Sequence, residues 1–157
     1  MEVSFSYLTF FQRNHDLKRP FAVQRIVLRY ALINPFDMEI AINILIGLIA
    51  MIHIYILWFE MFAWTTRGRK VFTAFPAELF EQTKTLAANQ GLYNGFLAAG
   101  LIWTFFISDE LWRDNVALFF LGCVAVAGIY GAISAERKIF FVQALPALIA
   151  ILLIVIA

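Results

Sequence analysis

The chain has 157 residues, of which 62% are apolar and 17% aromatic against 15% charged, with a formal net charge of +1. A soluble domain of this length cannot cover so large an apolar excess with so few charges, so a lipid bilayer is the expected solvent, in keeping with a mean hydropathy of +0.81. Lys and Arg fall in short clusters beside apolar runs, which excludes a nucleic-acid surface; the single cysteine, Cys123, excludes a disulfide framework or a cysteine zinc site and reads as a small buried hydrophobe.

Residues 1–37 carry Arg13, Lys18, Arg19, Arg25 and Arg29 without the unbroken apolar stretch of a signal peptide. Met38 is a natural start for a protein whose first element is a span, so the extension is read as sequence upstream of the true start. An amphipathic surface segment around Phe21 to Ile33 and a targeting sequence are the alternatives, and no function is placed there. Four segments, 40–64, 86–107, 116–134 and 139–157, are then long enough to cross about 30 Å of hydrocarbon at about 1.5 Å per residue. The short links 109–115 and 135–138 make sequential helices antiparallel neighbours, so the expected fold is all-α: an integral membrane four-helix bundle of up-down topology. In the longer link 65–85, Phe72, Phe75 and Leu79 recur at helical spacing with Phe80 beside them, and Pro76 suits a first turn. This predicts a short interfacial helix between the first two spans, an anchor or a roof.

Orientation follows from the basic residues. Links one and three hold Arg67, Arg69, Lys70, Lys84, Arg137 and Lys138 against Arg113 alone in link two, which places loops 1 and 3 in the cytoplasm and the C-terminus outside the inner membrane. Counting the five charges of residues 1–37 would cancel that bias, a further reason to read them as an extension.

Polar side chains at membrane depth are costly and usually face a protein interior or a water-filled cavity, so they mark candidate function. Here they form two strings: His53, Glu60 and Trp64 on one stripe of the first span, and Asn89 to Gly95 on the second. In the second string Asn89 stacks over Tyr93 and Gln90 over Asn94, giving two ridges. Counted inward from the loop charges, Glu60, Gln90, Tyr130 and Gln143 come to similar depth, with Asn94 and Tyr93 slightly deeper and His53 deeper again. One hydrophilic locus shared by four helices is expected, with Glu60, His53, Trp64, Asn89, Gln90, Tyr93, Asn94, Tyr130 and Gln143 as its ligand-binding candidates. His53 and Glu60 lie about 10 Å apart along the axis, too far to form a dyad, and no histidine cluster offers a metal site. The rows Gly91, Gly95, Ala99 and Ala127, Gly131, Ala135, with Gly128 and Ala132 adjacent, suit close helix approach, within the chain or between copies in a homo-oligomer. Pro146 cannot donate to the Val142 carbonyl, so it bends the fourth span or frees an acceptor there.

These strings, together with Gly128-Ile129-Tyr130-Gly131 and Gln143 three residues before Pro146, resemble the small bacterial four-span membrane proteins of domain-of-unknown-function family 1304. The resemblance covers about residues 39–154. It implies an integral membrane protein and brings no activity or cofactor with it. Three readings follow from the residues. The first is a binding or transport module for a small polar or amphiphilic molecule or cation, with Glu60 as its protonatable group. The second is a structural or accessory subunit in which the polar groups satisfy one another, Glu60 pairing with Arg137 or Lys138. The third, disfavoured for want of an activated nucleophile, a metal site or a phosphate loop, is an intramembrane enzyme using Glu60 as acid/base, without assigned catalytic residues.

Overall fold

The computed structural model describes residues 35–73 and 75–157, and every regular element among them is helical. The basic extension, with the amphipathic segment around Phe21 to Ile33, lies outside the described residues except for its last three, which are helical. Helix α1 (Pro35–Phe62) opens on a proline, whose missing N–H is harmless at a first helical position, and has Asp37 in its first turn. At Ala63 the chain leaves α geometry for a π turn, Trp64–Gly68, in which the Gly68 N–H reaches back five residues to the Ala63 carbonyl at 3.2 Å. Two short helices follow, α2 (Arg69–Val71) and α3 (Ala77–Gln82); Pro76, in extended conformation, immediately precedes α3.

Helix α4 (Lys84–Trp103) ends in a tighter turn at Thr104–Phe106. Helix α5 (Glu110–Ser134) begins earlier than hydropathy suggests, because the Asp109 carboxylate accepts the Trp112 N–H at 2.8 Å and caps the helix there. The connection expected at 109–115 is therefore mostly helix. The last apolar segment is a second π turn, Phe140–Ala144, continued by α6 (Leu145–Ile156). Pro146 supplies no N–H to the carbonyl one turn back, and just before it the Leu145 N–H bonds the Phe140 carbonyl five residues away, so the chain widens there instead of continuing as regular α-helix.

Helices α1 and α5 are long and apolar enough to cross a membrane; Phe140–Ile156 is apolar but shorter, and α4 carries Asn89, Gln90 and Asn94. α1 packs on α4 and α6, and α5 on α4, α6 and the second π turn. Ile46, Ile49 and Ala50 of α1, Leu101 of α4, Leu121, Val124 and Ala125 of α5, and Ala147 and Ala150 of α6 form one buried core. Glu39 and Arg113, 3.0 Å apart, tie the N-terminal ends of α1 and α5 together. Glycine sets two tight crossings. A Cβ on Gly91 would lie 3.0 Å from the Leu57 carbonyl oxygen, and one on Gly128 would lie 2.6 Å from the Ala144 nitrogen. Of the expected small-residue rows, Gly91 and Gly95 thus meet α1 and Gly128 meets the second π turn, while Ala99, Ala127 and Ala135 are exposed. The outward faces are apolar: Ile44, Met51 and Phe62 on α1, Phe119, Val126 and Ile133 on α5, and Leu152 and Val155 on α6 all stand exposed.

Candidate functional site

His53 and Glu60 of α1 take partners on different elements, and the result is two separate pairs. His53 is fully buried. Its Nδ1 lies 2.8 Å from the Ile49 carbonyl, which can only accept, so Nδ1 carries the proton and Nε2 is left as an acceptor. Gln143 Nε2 fills that role across the helix interface at 3.4 Å, a long bond. The π turn that holds Gln143 places its amide there.

Glu60 sits in the last turn of α1, where Oε2 accepts from Asn94 Nδ2 at 3.0 Å. The same nitrogen donates to the Gln90 carbonyl at 3.1 Å, so Asn94 is held in register by its own helix while it holds Glu60. Gly91 makes this bond feasible. A Cβ there would stand 3.1 Å from the Glu60 Cβ and 2.8 Å from Met61 Cγ, so its absence lets α1 approach. Among the described residues Glu60 has no ion pair: Lys138 binds Glu136 at 3.0 Å, Arg69 binds Glu81 at 3.0 Å, and Arg67 lies over the Trp58 ring at 5.1 Å. The pairing with Arg137 or Lys138 that would have closed the site is not formed.

Next to Glu60 a cleft of about 260 Å³ opens, lined by Glu60, Trp64, Phe75, Leu79, Thr83, Leu86, Ala87 and Gln90. Its wall is built by the long link. Trp64 donates its indole N–H to Thr83 Oγ1 at 3.0 Å, and Thr83 in turn donates to the Leu79 carbonyl at 2.7 Å. Phe80, almost wholly buried, meets Trp64 at a ring distance of 5.4 Å, and Phe59 and Phe72 complete the aromatic cluster. The Arg69–Glu81 ion pair, exposed and therefore weak, straps the outside of the link.

Of the nine candidates, Glu60, Asn94, Gln90 and Trp64 come together around the cleft, and His53 and Gln143 form a separate pair. Asn89, Tyr93 and Tyr130 join neither: Tyr93 is 57% and Tyr130 71% exposed, and Asn89 is exposed on the ridge it shares with Tyr93. Thr83, Leu86 and Ala87 are lining residues that the sequence did not mark; the helical spacing of Phe72, Phe75 and Leu79 was the signal for that wall.

Residues 47–155 match the family described as "Protein of unknown function (DUF1304)". The chain belongs to that family. A DUF1304-length relative is uncharacterized protein YpaA of Lactococcus lactis subsp. lactis (strain IL1403), 33% identical over 117 residues, which is 73% of this chain and 97% of that protein. No solved structure matches the chain. The DUF1304 match takes in both polar pairs and every residue lining the cleft.

Proposed function

We propose that the chain is a four-span inner-membrane protein, an up-down helical bundle with links one and three in the cytoplasm, that binds a small polar or amphiphilic molecule at its cytoplasmic end as a binding or transport module. The apolar outer faces of α1, α5 and α6 support the membrane setting, since a protein in water rarely exposes apolar surface on that scale. The basic residues of the long link lie beside the cleft, so the positive-inside bias gives the cleft its side.

One observation carries the binding reading: Glu60 has one oxygen on Asn94, no cationic partner among the described residues, and an open cleft with an apolar, aromatic wall beside it. Convergent polar groups in an apolar concavity are the usual form of a small-molecule site. The accessory-subunit reading has its own support in the His53–Gln143 pair, in which two polar groups satisfy one another and His53 is fully buried. Mass spectrometry of the protein purified in native lipid separates the two. A small molecule retained by the wild type and lost from Glu60→Gln supports binding; wild-type protein that carries none, or a molecule held equally by both, transfers the weight to the accessory reading.

A further inference from the structure

The cleft beside Glu60 has an open carboxylate oxygen and few free side-chain donors, which bears on what it could hold. Four of its lining backbone donors are committed: the N–H groups of Phe75, Leu79, Thr83 and Ala87 bond the carbonyls of Phe72, Pro76, Leu79 and Thr83, while that of Leu86 lies in the first turn of α4, outside the helix's own ladder. Its side-chain donors are largely committed as well, the Trp64 indole to Thr83 and the Thr83 hydroxyl to the Leu79 carbonyl. Among the described lining residues only the Gln90 amide remains as a free side-chain donor, while Glu60 Oε1 and Gln90 Oε1 are free acceptors. An anion would be repelled by the Glu60 carboxylate, and a neutral polyol would leave that charge without a counter-charge.

Of the positive charges of the link, Arg67 lies over Trp58 and Arg69 on Glu81, and Lys70 and Lys84 are exposed and line none of the cleft. The rest of the wall is Trp64 and Phe75, which offer π surface to a cation, and Leu79, Leu86 and Ala87, which suit a short hydrocarbon. At about 260 Å³ the cleft falls just under the range of roughly 300–1,000 Å³ for sites that take drug-sized ligands.

We infer that the ligand is a small amphiphilic ammonium ion carrying N–H donors, with its head on Glu60 Oε1 and its short apolar tail along Leu79 and Leu86. The inference rests on the cleft reading above and specifies its chemistry. A charge-assisted N–H bond to the open carboxylate oxygen would supply orientation as well as attraction. Substitution of the nitrogen by methyl groups keeps the charge and removes the donors, so it separates this ligand class from cations in general.

The test is calorimetric titration of the full chain in neutral-lipid nanodiscs, with empty nanodiscs subtracted to remove partitioning into lipid. The probes are hexylamine, hexyltrimethylammonium, hexanol and hexanoate. Hexylamine is expected to saturate one site per chain, with hexyltrimethylammonium weaker by about tenfold, the equivalent of about 1.4 kcal/mol, and no saturable heat from hexanol or hexanoate. Glu60→Gln should weaken hexylamine by about tenfold or more, and Glu60→Asp, which keeps the charge but withdraws it, by less; Glu60→Asp replaces Glu60→Gln should the latter not fold. Equal binding of the two cations, or saturable Glu60-dependent binding of hexanol or hexanoate, overturns the ligand class and leaves the cleft reading standing. Absence of saturable hexylamine binding overturns the inference as well, and the cleft reading is then decided by the retained-ligand measurement alone.

Discussion

The two polar pairs differ in what removal of a partner exposes. His53 has no access to solvent, so Gln143→Leu leaves Nε2 as a buried acceptor without a donor. The expected loss is about 1–3 kcal/mol, measured by reversible unfolding in mixed micelles. His53→Phe combined with Gln143→Leu should recover part of that loss, because no unpaired group remains, and a double-mutant cycle would give a coupling of about 0.6 kcal/mol or more. Asn94→Leu acts beside an open cleft, where water can replace the lost donor to Glu60, so its cost in the same assay should be smaller, about 0.5–1.5 kcal/mol. A larger loss for Asn94→Leu than for Gln143→Leu would mean that Glu60 is the more enclosed group, against the geometry. At this scale the sequence was informative about residue type and stripe: polar groups in an apolar helix stand out by their cost. It could not say which ridge of α4 turns toward α1. Successive residues on a helix differ by about 100°, so Gln90–Asn94 and Asn89–Tyr93 were equally eligible, and the close approach at Gly91 decides for the former.

At the scale of elements, the single four-helix locus expected from depth counting becomes two pairs because of the π turns. Counting inward from Arg67 assumed a straight helix up to that residue, but α1 ends at Phe62 and the chain turns at Trp64–Gly68, which leaves Glu60 in the last turn beside the link. The second π turn sets Gln143 against His53, in the separate pair. Neither departure has a periodicity signal: the first follows no proline at all, and Pro146 signalled a disturbance without its form. The glycines give a clean contrast on one helix. On Gly128 a Cβ would press against the Ala144 backbone, which cannot move as a side-chain tip can, so Gly128→Ala should destabilise by about 1–3 kcal/mol. Gly122 has open space around its Cβ position, so Gly122→Ala should stabilise by about 0.5–1 kcal/mol through helix propensity alone. Opposite signs in one unfolding assay are expected; equal effects would show that α5 does not meet the second π turn as closely as described.

For the molecule as a whole, the distribution of apolar side chains departs from that of a protein in water: many large ones are outside, and alanines share the contact surface between helices with Ile46, Ile49, Leu101 and Leu121. Ala50, Ala117, Ala125, Ala147 and Ala150 are buried while Phe119, Ile133 and Val155 are exposed. Composition alone made that legible, since no folding of so apolar a chain could hide its excess, whereas the orientation of the helices rests on a charge count that residues 1–37 would cancel. Single-cysteine labelling resolves it without reference to those residues. In a Cys123→Ala background, Gln82→Cys at the end of α3 and Glu136→Cys in the last link should react with a membrane-impermeant maleimide only from the cytoplasmic side, and Ser108→Cys, just before the cap of α5, only from the opposite side. All three positions are exposed and none belongs to either polar pair, so labelling reports on access and leaves the pairs intact. Labelling of Ser108→Cys and Glu136→Cys from the same side would require that α5 does not cross the bilayer, and the cleft at Glu60 would then lose the membrane setting that makes an unpaired carboxylate beside hydrocarbon a specific demand for a cation.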